Sequence, residues 1–133
     1  SLVSASLGIS NISVTIDAYF DIPLCIERIS EKYNIFLFSN TNSIHAKCFE
    51  KRCSEQTGRT LESYFKQVFY SHSLHLRKPD MAAFKEVLEC SGLQAAETLF
   101  IDDNLANIVG AQKVGLQTIH LQKPQTILDL EID

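Results

Sequence analysis

Residues 99–121 read LFIDDNLANIVGAQKVGLQTIHL, and this stretch decides the fold. Leu99-Phe100-Ile101 is a short apolar run that turns polar at once, which predicts a strand buried on both faces. A helix from about Leu105 ends at Gly115. Gln117-Thr118-Ile119-His120-Leu121 predicts another strand, and Pro124 ends regular structure. Two parallel strands need a crossover of about a dozen residues or more, and this helix supplies one.

The same alternation continues upstream. Pro79-Asp80 opens a helix with Met81, Phe84, Val87 and Leu88 on its apolar face, and Gly92 stops it. Val68-Phe69-Tyr70 predicts a short strand. Before it, Thr60 can cap a helix carrying Leu61, Tyr64, Phe65 and Val68. Asn42 and Ser43 can cap a longer helix that runs to about Thr57 and stops at Gly58. Ile35-Phe36-Leu37-Phe38 is a further buried strand. The series is βαβαβαβ, which predicts an α/β fold: a parallel sheet with helices on both faces. The first third is less regular. Pro23 suits the first turn of a helix ending near Tyr33. Ile12 to Ile16 alternates apolar and polar, which predicts a half-exposed strand. Residues 1–22 are read as an N-terminal segment and 23–133 as the core domain, with no repeat, low-complexity tract or linker.

Composition narrows the function classes. The chain has 133 residues, 45% hydrophobic and 21% charged, which suits one folded domain. Twelve basic against sixteen acidic residues leave a net charge of −4, so the electrostatic footprint of a nucleic-acid binder is missing. No apolar run is long enough for a membrane span, and the opening SLVSASLGIS does not read as a signal peptide. Cys25, Cys48, Cys53 and Cys90 form no C-x-x-C pair and no zinc spacing, so free thiols in a reducing cytoplasm are expected. His45 and Cys48 can share a helix face, a weak metal signal.

Three polar clusters sit beside the predicted strands and helices: Ser39-Asn40-Thr41-Asn42, Arg77-Lys78-Pro79-Asp80 and Asp102-Asp103-Asn104. In an open parallel sheet the carboxyl ends of the strands line the ligand crevice. Hydroxyls and backbone N–H groups there can hold phosphate oxygens, a lysine can neutralise them, and paired carboxylates can hold Mg²⁺. Each cluster also has a plain structural reading. Ser39 to Asn42 makes a good helix cap, and Lys78 suits an exposed lysine at a helix start. The Asp pair is harder to set aside, because two like charges next to Phe100 and Ile101 are costly without compensation.

Taken in order, the strings IFLFSNTN, LRKPDMAAF and LFIDDNLANIVGAQKVGLQTIHL resemble motifs II, III and IV of the haloacid dehalogenase superfamily. The branch typified by glucose-1-phosphate phosphatases is the most similar. The resemblance covers about residues 21–121. It implies a Rossmann-like core and, for most members, a Mg²⁺-dependent phosphatase acting on a small phosphorylated metabolite. It implies that Ser39 holds the transferring phosphoryl group with Asn40 and Thr41 nearby, and that Lys78 balances the charge. Asp103 would bind the metal, Asp102 would act through water or by supporting Asp103, and Asn107 would help fix the loop. The paired aspartates argue for metal and against the metal-free dehalogenation found on the same fold. A degenerate member that only binds a phosphorylated ligand or a partner is the other alternative.

The family's first motif, an apolar strand followed by Asp-x-Asp, supplies the nucleophile, and this sequence contains no Asp-x-Asp. Two readings follow. In one, residues 1–22 end a cap domain, IDAYFDIP resembles the return from cap to core, and the chain is a core truncated at its N-terminus. In the other, Ile12 to Ile16 is a reduced central strand and Asp17 stands where the nucleophile should be. The first is preferred, because the alternation is wrong for a doubly buried strand. The central slot must still be filled, since bare strand edges are avoided. Ile12 to Ile16 can fill it, a strand from a second copy in a homo-oligomer can do so, or the two flanking strands can pair directly.

Overall fold

The computed structural model describes residues 8–15 and 28–121. β1 is Asn11–Val14, β2 Asn34–Ser39, α1 Ser43–Thr57, β3 Gln67–Tyr70 and α2 Ser71–Leu74. Then follow α3 (Met81–Ser91), β4 (Thr98–Asp102), α4 (Leu105–Lys113) and β5 (Gln117–His120). The strands form one sheet in the order β3-β2-β1-β4-β5, and every neighbouring pair is parallel. This is the Rossmann-like α/β architecture. Among the described residues no helix is long and apolar enough to cross a membrane. Cys48, Cys53 and Cys90 are free thiols, and Cys25 lies outside the described residues.

Of the three ways to fill the central slot, the structure shows the first. Asn11–Val14 pairs with β2 on one side and β4 on the other, with Val14 level with both Leu37 and Ile101. The half-exposed strand expected here is instead buried along its whole length. Its alternation separates two covered faces rather than a wet face from a dry one. Ile12 and Val14 join a core with Ile35, Leu37, Leu99, Ile101, Leu61 and Tyr64. Asn11 and Ser13 occupy the alternate positions. Asn11 is reconciled with burial by Asn34, whose side-chain amide donates to Asn11 Oδ1 at 3.0 Å. Ser13 has no such partner among the described residues. Its buried hydroxyl is unsatisfied and borders a void of about 10 Å³ lined by Phe36, Phe38, Phe84 and Phe100.

Local signals place the helices. Asn42 caps α1 by accepting from the His45 N–H at 2.9 Å, and Gly58 ends it in the left-handed region at φ 75°. α3 sends Phe84 and Val87, and α4 sends Ile108 and Ala111, into a second core under the opposite face of the sheet. Two expectations change. The helix after Thr60 is a single 3-10 turn, Leu61–Tyr64, because the Lys66 N–H is already bonded to the Ile35 carbonyl as β3 begins. Met81 does not join the core of α3 and is 40% exposed.

The orphaned hydroxyl makes a prediction. Ser13→Ala removes a buried group that has no hydrogen bond, so the chain should gain about 1 kcal/mol and melt a few degrees higher in a thermal scan. A loss of stability would mean that Ser13 has a partner.

Candidate functional site

The sheet order puts the ends of β2 and β4 on either side of β1. β2 ends at Ser39 and β4 at Asp102. The third cluster arrives on the loop between α2 and α3, and it does not lie on the surface. Lys78 is 2% exposed. Its Nζ donates to Asp102 Oδ2 at 2.8 Å and to the Phe38 carbonyl at 2.8 Å. The ammonium also stands 5.0 Å from the centre of the Phe38 ring and 5.4 Å from that of Phe100. The reading of Lys78 as an exposed helix-start lysine is therefore overturned. Its stem crosses the sheet end and joins β2 to β4.

The surrounding polar groups hold this arrangement. The Asn40 side chain accepts from the Lys78 N–H at 2.9 Å and donates to the Lys78 carbonyl at 2.8 Å, a reciprocal clamp between two loops. Asp102 Oδ1 accepts from the Asn104 N–H at 3.0 Å, and Oδ2 also accepts from Asn107 Nδ2 at 3.2 Å. Asn104 caps α4 through the Asn107 N–H at 3.3 Å. Thr41 is pinned by Ser71, whose hydroxyl accepts from the Thr41 N–H at 2.9 Å and donates to its carbonyl at 3.0 Å. Ser39 is buried at the last position of β2. Gly110 lets α4 approach the Lys78-Pro79 turn. A Cβ there would collide with the Pro79 carbonyl oxygen and press the Phe84 ring at 3.0 Å.

Electrostatics follow from burial. Burial works against the ionised form of Asp102, but the Lys78 charge and the hydrogen bonds from Lys78 and Asn104 outweigh it, leaving the carboxyl below the ordinary aspartate range. Burial also pulls the Lys78 ammonium below its ordinary range, and Asp102 opposes that without cancelling it. Asp103 is half-buried beside the pair. Its carbonyl accepts from His120 Nε2 at 3.0 Å, which requires the proton on that nitrogen.

The structure thus brings Ser39, Asn40, Thr41, Lys78, Asp102, Asp103 and Asn107 to one end of the sheet. Asp17 lies outside the described residues, as do residues 1–7 and 16–22 of the N-terminal segment. Ser71 and His120 escaped the sequence reading, although each stands at the end of a strand, where the same topological rule would have pointed. Among the described residues no group of three or more His, Cys, Asp or Glu is placed to hold a metal ion. Mg²⁺ prefers a near-octahedral oxygen shell. Asp102 already accepts from Lys78, Asn104 and Asn107, so the described residues do not by themselves make up a Mg²⁺ site. His45 and Cys48 are both exposed on α1 and belong to no such group.

The sequence profile of the haloacid dehalogenase-like hydrolases matches residues 15–121. A sesquiterpene phosphatase of Aspergillus oryzae is 42% identical over 57 residues, which are 43% of this chain and 29% of that protein. A D-ribitol-5-phosphate phosphatase of Bacteroides thetaiotaomicron is 30% identical over 92 residues, 68% of this chain and 44% of the relative. Among solved structures, a haloacid dehalogenase family enzyme of Bacteroides thetaiotaomicron in complex with magnesium and inorganic phosphate is 33% identical. It superposes with a TM-score of 0.74 over 84% of this chain and 55% of that one. The chain thus spans at most about half the length of these relatives.

Two predictions rest on the buried pair. Asp102→Asn leaves a buried ammonium without its counter-charge and should cost about 3–5 kcal/mol at neutral pH. Adding Lys78→Met should restore much of that loss in denaturant unfolding. A carboxyl held below its ordinary range binds its proton less readily folded than unfolded. Its contribution is complete above about pH 4, the ordinary aspartate value, and disappears as pH falls through the lower folded-state value. The double variant should therefore show a shallower acid limb than the wild type, and identical limbs would contradict the pair. Gly110→Ala should destabilise by about 1–3 kcal/mol through overpacking, and an unchanged melting temperature would count against the close approach to Pro79.

Proposed function

The chain belongs to the haloacid dehalogenase-like hydrolases, and from that premise we propose that it is the phosphate-handling core of a phosphatase for a small phosphorylated metabolite. The observation that carries this reading is the buried Lys78–Asp102 pair, held between the ends of β2 and β4, with Ser39 the last residue of β2. Ser39, with Asn40 and Thr41 behind it, receives the phosphoryl oxygens. Lys78 supplies positive charge that cannot swing away, since two hydrogen bonds and the Asn40 clamp fix it. Asp102 sets the position of Lys78, and Asn107 and Asn104 set that of Asp102.

Magnesium enters this reading through the family, with Asp103, next to Asp102 in the chain, as the carboxylate that would bind it. Because the described residues do not complete a metal site, no step is derived through the ion. A cytoplasmic setting suits the free thiols Cys48, Cys53 and Cys90. The sequence has no Asp-x-Asp, and Asp17 is the residue with a claim to the nucleophile's place. Positioned phosphate ligands lower a barrier only for a nucleophile that is present, and losing a covalent nucleophile removes several orders of magnitude in rate.

The test separates binding from turnover. Inorganic phosphate should shift the backbone NMR signals of Ser39, Asn40 and Lys78. Ser39→Ala should weaken that binding several-fold while the fold, checked by the dispersion of the remaining signals, persists. With an aryl phosphate and Mg²⁺ the chain should show at most trace turnover. Robust turnover abolished by Asp17→Asn would make Asp17 the nucleophile. Millimolar phosphate that leaves these three residues unmoved would reject the reading.

A further inference from the structure

The ladder between β2 and β3 closes on the pair Ser39 and Tyr70. Beyond it the two segments part. Asn42 caps α1 on one side, and Ser71 is already the first residue of α2 on the other. Thr41 has therefore left the sheet without reaching the helix, and its part-buried N–H and C=O need partners. A single side chain supplies both. The Ser71 hydroxyl accepts from the Thr41 N–H at 2.9 Å and donates to the Thr41 carbonyl at 3.0 Å. It stands in for the strand neighbour that β3 no longer provides.

One residue earlier the arrangement is reversed. There the side chain belongs to the loop after β2 and the backbone to the opposite segment. Asn40 accepts from the Lys78 N–H at 2.9 Å and donates to the Lys78 carbonyl at 2.8 Å. Residues 71–78 are thus fastened at both ends to two consecutive residues, Asn40 and Thr41. These hydrogen bonds make the loop after β2 and the loop that carries Lys78 one body. The stretch from Ser39 to Asn40 is held on one side by the ladder and on the other by the Thr41 peptide. Ser71 is the anchor of that second side.

We propose that Ser71 is a positioning residue for phosphate binding, which through the Thr41 peptide fixes Ser39 and Asn40 against Lys78. This rests on the phosphatase reading above. Ser71 acts on the anion only through the loop, by ordering it before the ligand arrives, so that less conformational freedom is lost on binding. It also commits the Thr41 N–H. Turning that N–H towards a ligand would break both contacts with Ser71, so the phosphate is met by Ser39, Asn40 and Lys78 and not by a donor from Thr41. The neighbouring Tyr70 provides a control. Its hydroxyl donates to Glu50 Oε1 of α1 at 3.2 Å. Burial, and then the Glu50 charge, push that hydroxyl above the ordinary tyrosine range, so it stays protonated at neutral pH. It ties the same strand end to α1 rather than to the loop of Ser39 and Thr41.

The experiment titrates the whole chain with inorganic phosphate and follows the backbone NMR signals of the wild type, Ser71→Ala, Ser71→Thr and Tyr70→Phe. Ser71→Ala should weaken phosphate about three- to tenfold, the scale of one net hydrogen bond. Ser71→Thr keeps the hydroxyl and should bind like the wild type. Tyr70→Phe should lower the melting temperature and leave phosphate affinity unchanged. In the wild type the Thr41 N–H signal should move little while those of Ser39 and Asn40 shift. A large downfield move of the Thr41 N–H would show it turning onto the phosphate and overturns the inference without recourse to any variant. Ser71→Ala that binds as tightly as the wild type, Ser71→Thr as weak as Ser71→Ala, or Tyr70→Phe as damaging to binding as Ser71→Ala also overturns it, and each leaves the phosphatase reading standing. Failure of the wild type to bind phosphate overturns both.

Discussion

A lysine ammonium that is 2% exposed is the constraint around which the rest of the site is arranged. Such a charge is tolerated only with a counter-charge and satisfied donors. Asp102 and the Phe38 carbonyl meet that requirement, and they belong to two strands separated by a third. The demand therefore reaches well beyond the pair. β2 and β4 must end at the same height, the loop before α3 must enter the crevice, and α4 must come close enough to need a glycine at position 110. Asn40, Asn104 and Asn107 then use their amides to hold the three segments in register. The pair is nearly neutral as a unit, and its ammonium is fixed at the end of β2 by the Phe38 carbonyl.

The central strand shows the opposite economy. A doubly covered parallel strand ordinarily reads as a continuous apolar run, and β1 does not. Asn11 is matched by Asn34 across the ladder, whereas Ser13 is left with an unpaired hydroxyl among phenylalanines. The slot accepts this imperfect occupant because the alternative is worse. Leaving it open would bare the edges of β2 and β4, with a full row of backbone groups on each. Pairing on both sides by Asn11–Val14 removes both edges with four residues.

Family membership and geometry meet at the same place in the chain. Ser39, Lys78 and Asp102 each lie in a junction that runs directly into a helix, starting at Ser43, Met81 and Leu105. The loops that hold the buried pair are therefore the same segments that set where these three helices begin.

The sequence by itself determined the alternation of strands and helices from Ile35 onward, because apolar runs, caps and the stops at Gly58 and Gly92 are local signals. It also marked, through residue type and order, the three polar clusters that the fold brings to one end of the sheet. What it left open depends on contacts between distant segments. The burial of Lys78, its two acceptors and the Asn40 clamp span 24 to 40 residues, and no local pattern marks a lysine as buried. Ser71 and His120 touch the site only because β3 and β5 end level with it. The place of β1 was likewise a tertiary outcome. Alternating polar and apolar residues describe a strand with one wet face equally well as one whose polar side chains meet a second core, and only the neighbours on both sides decide between them.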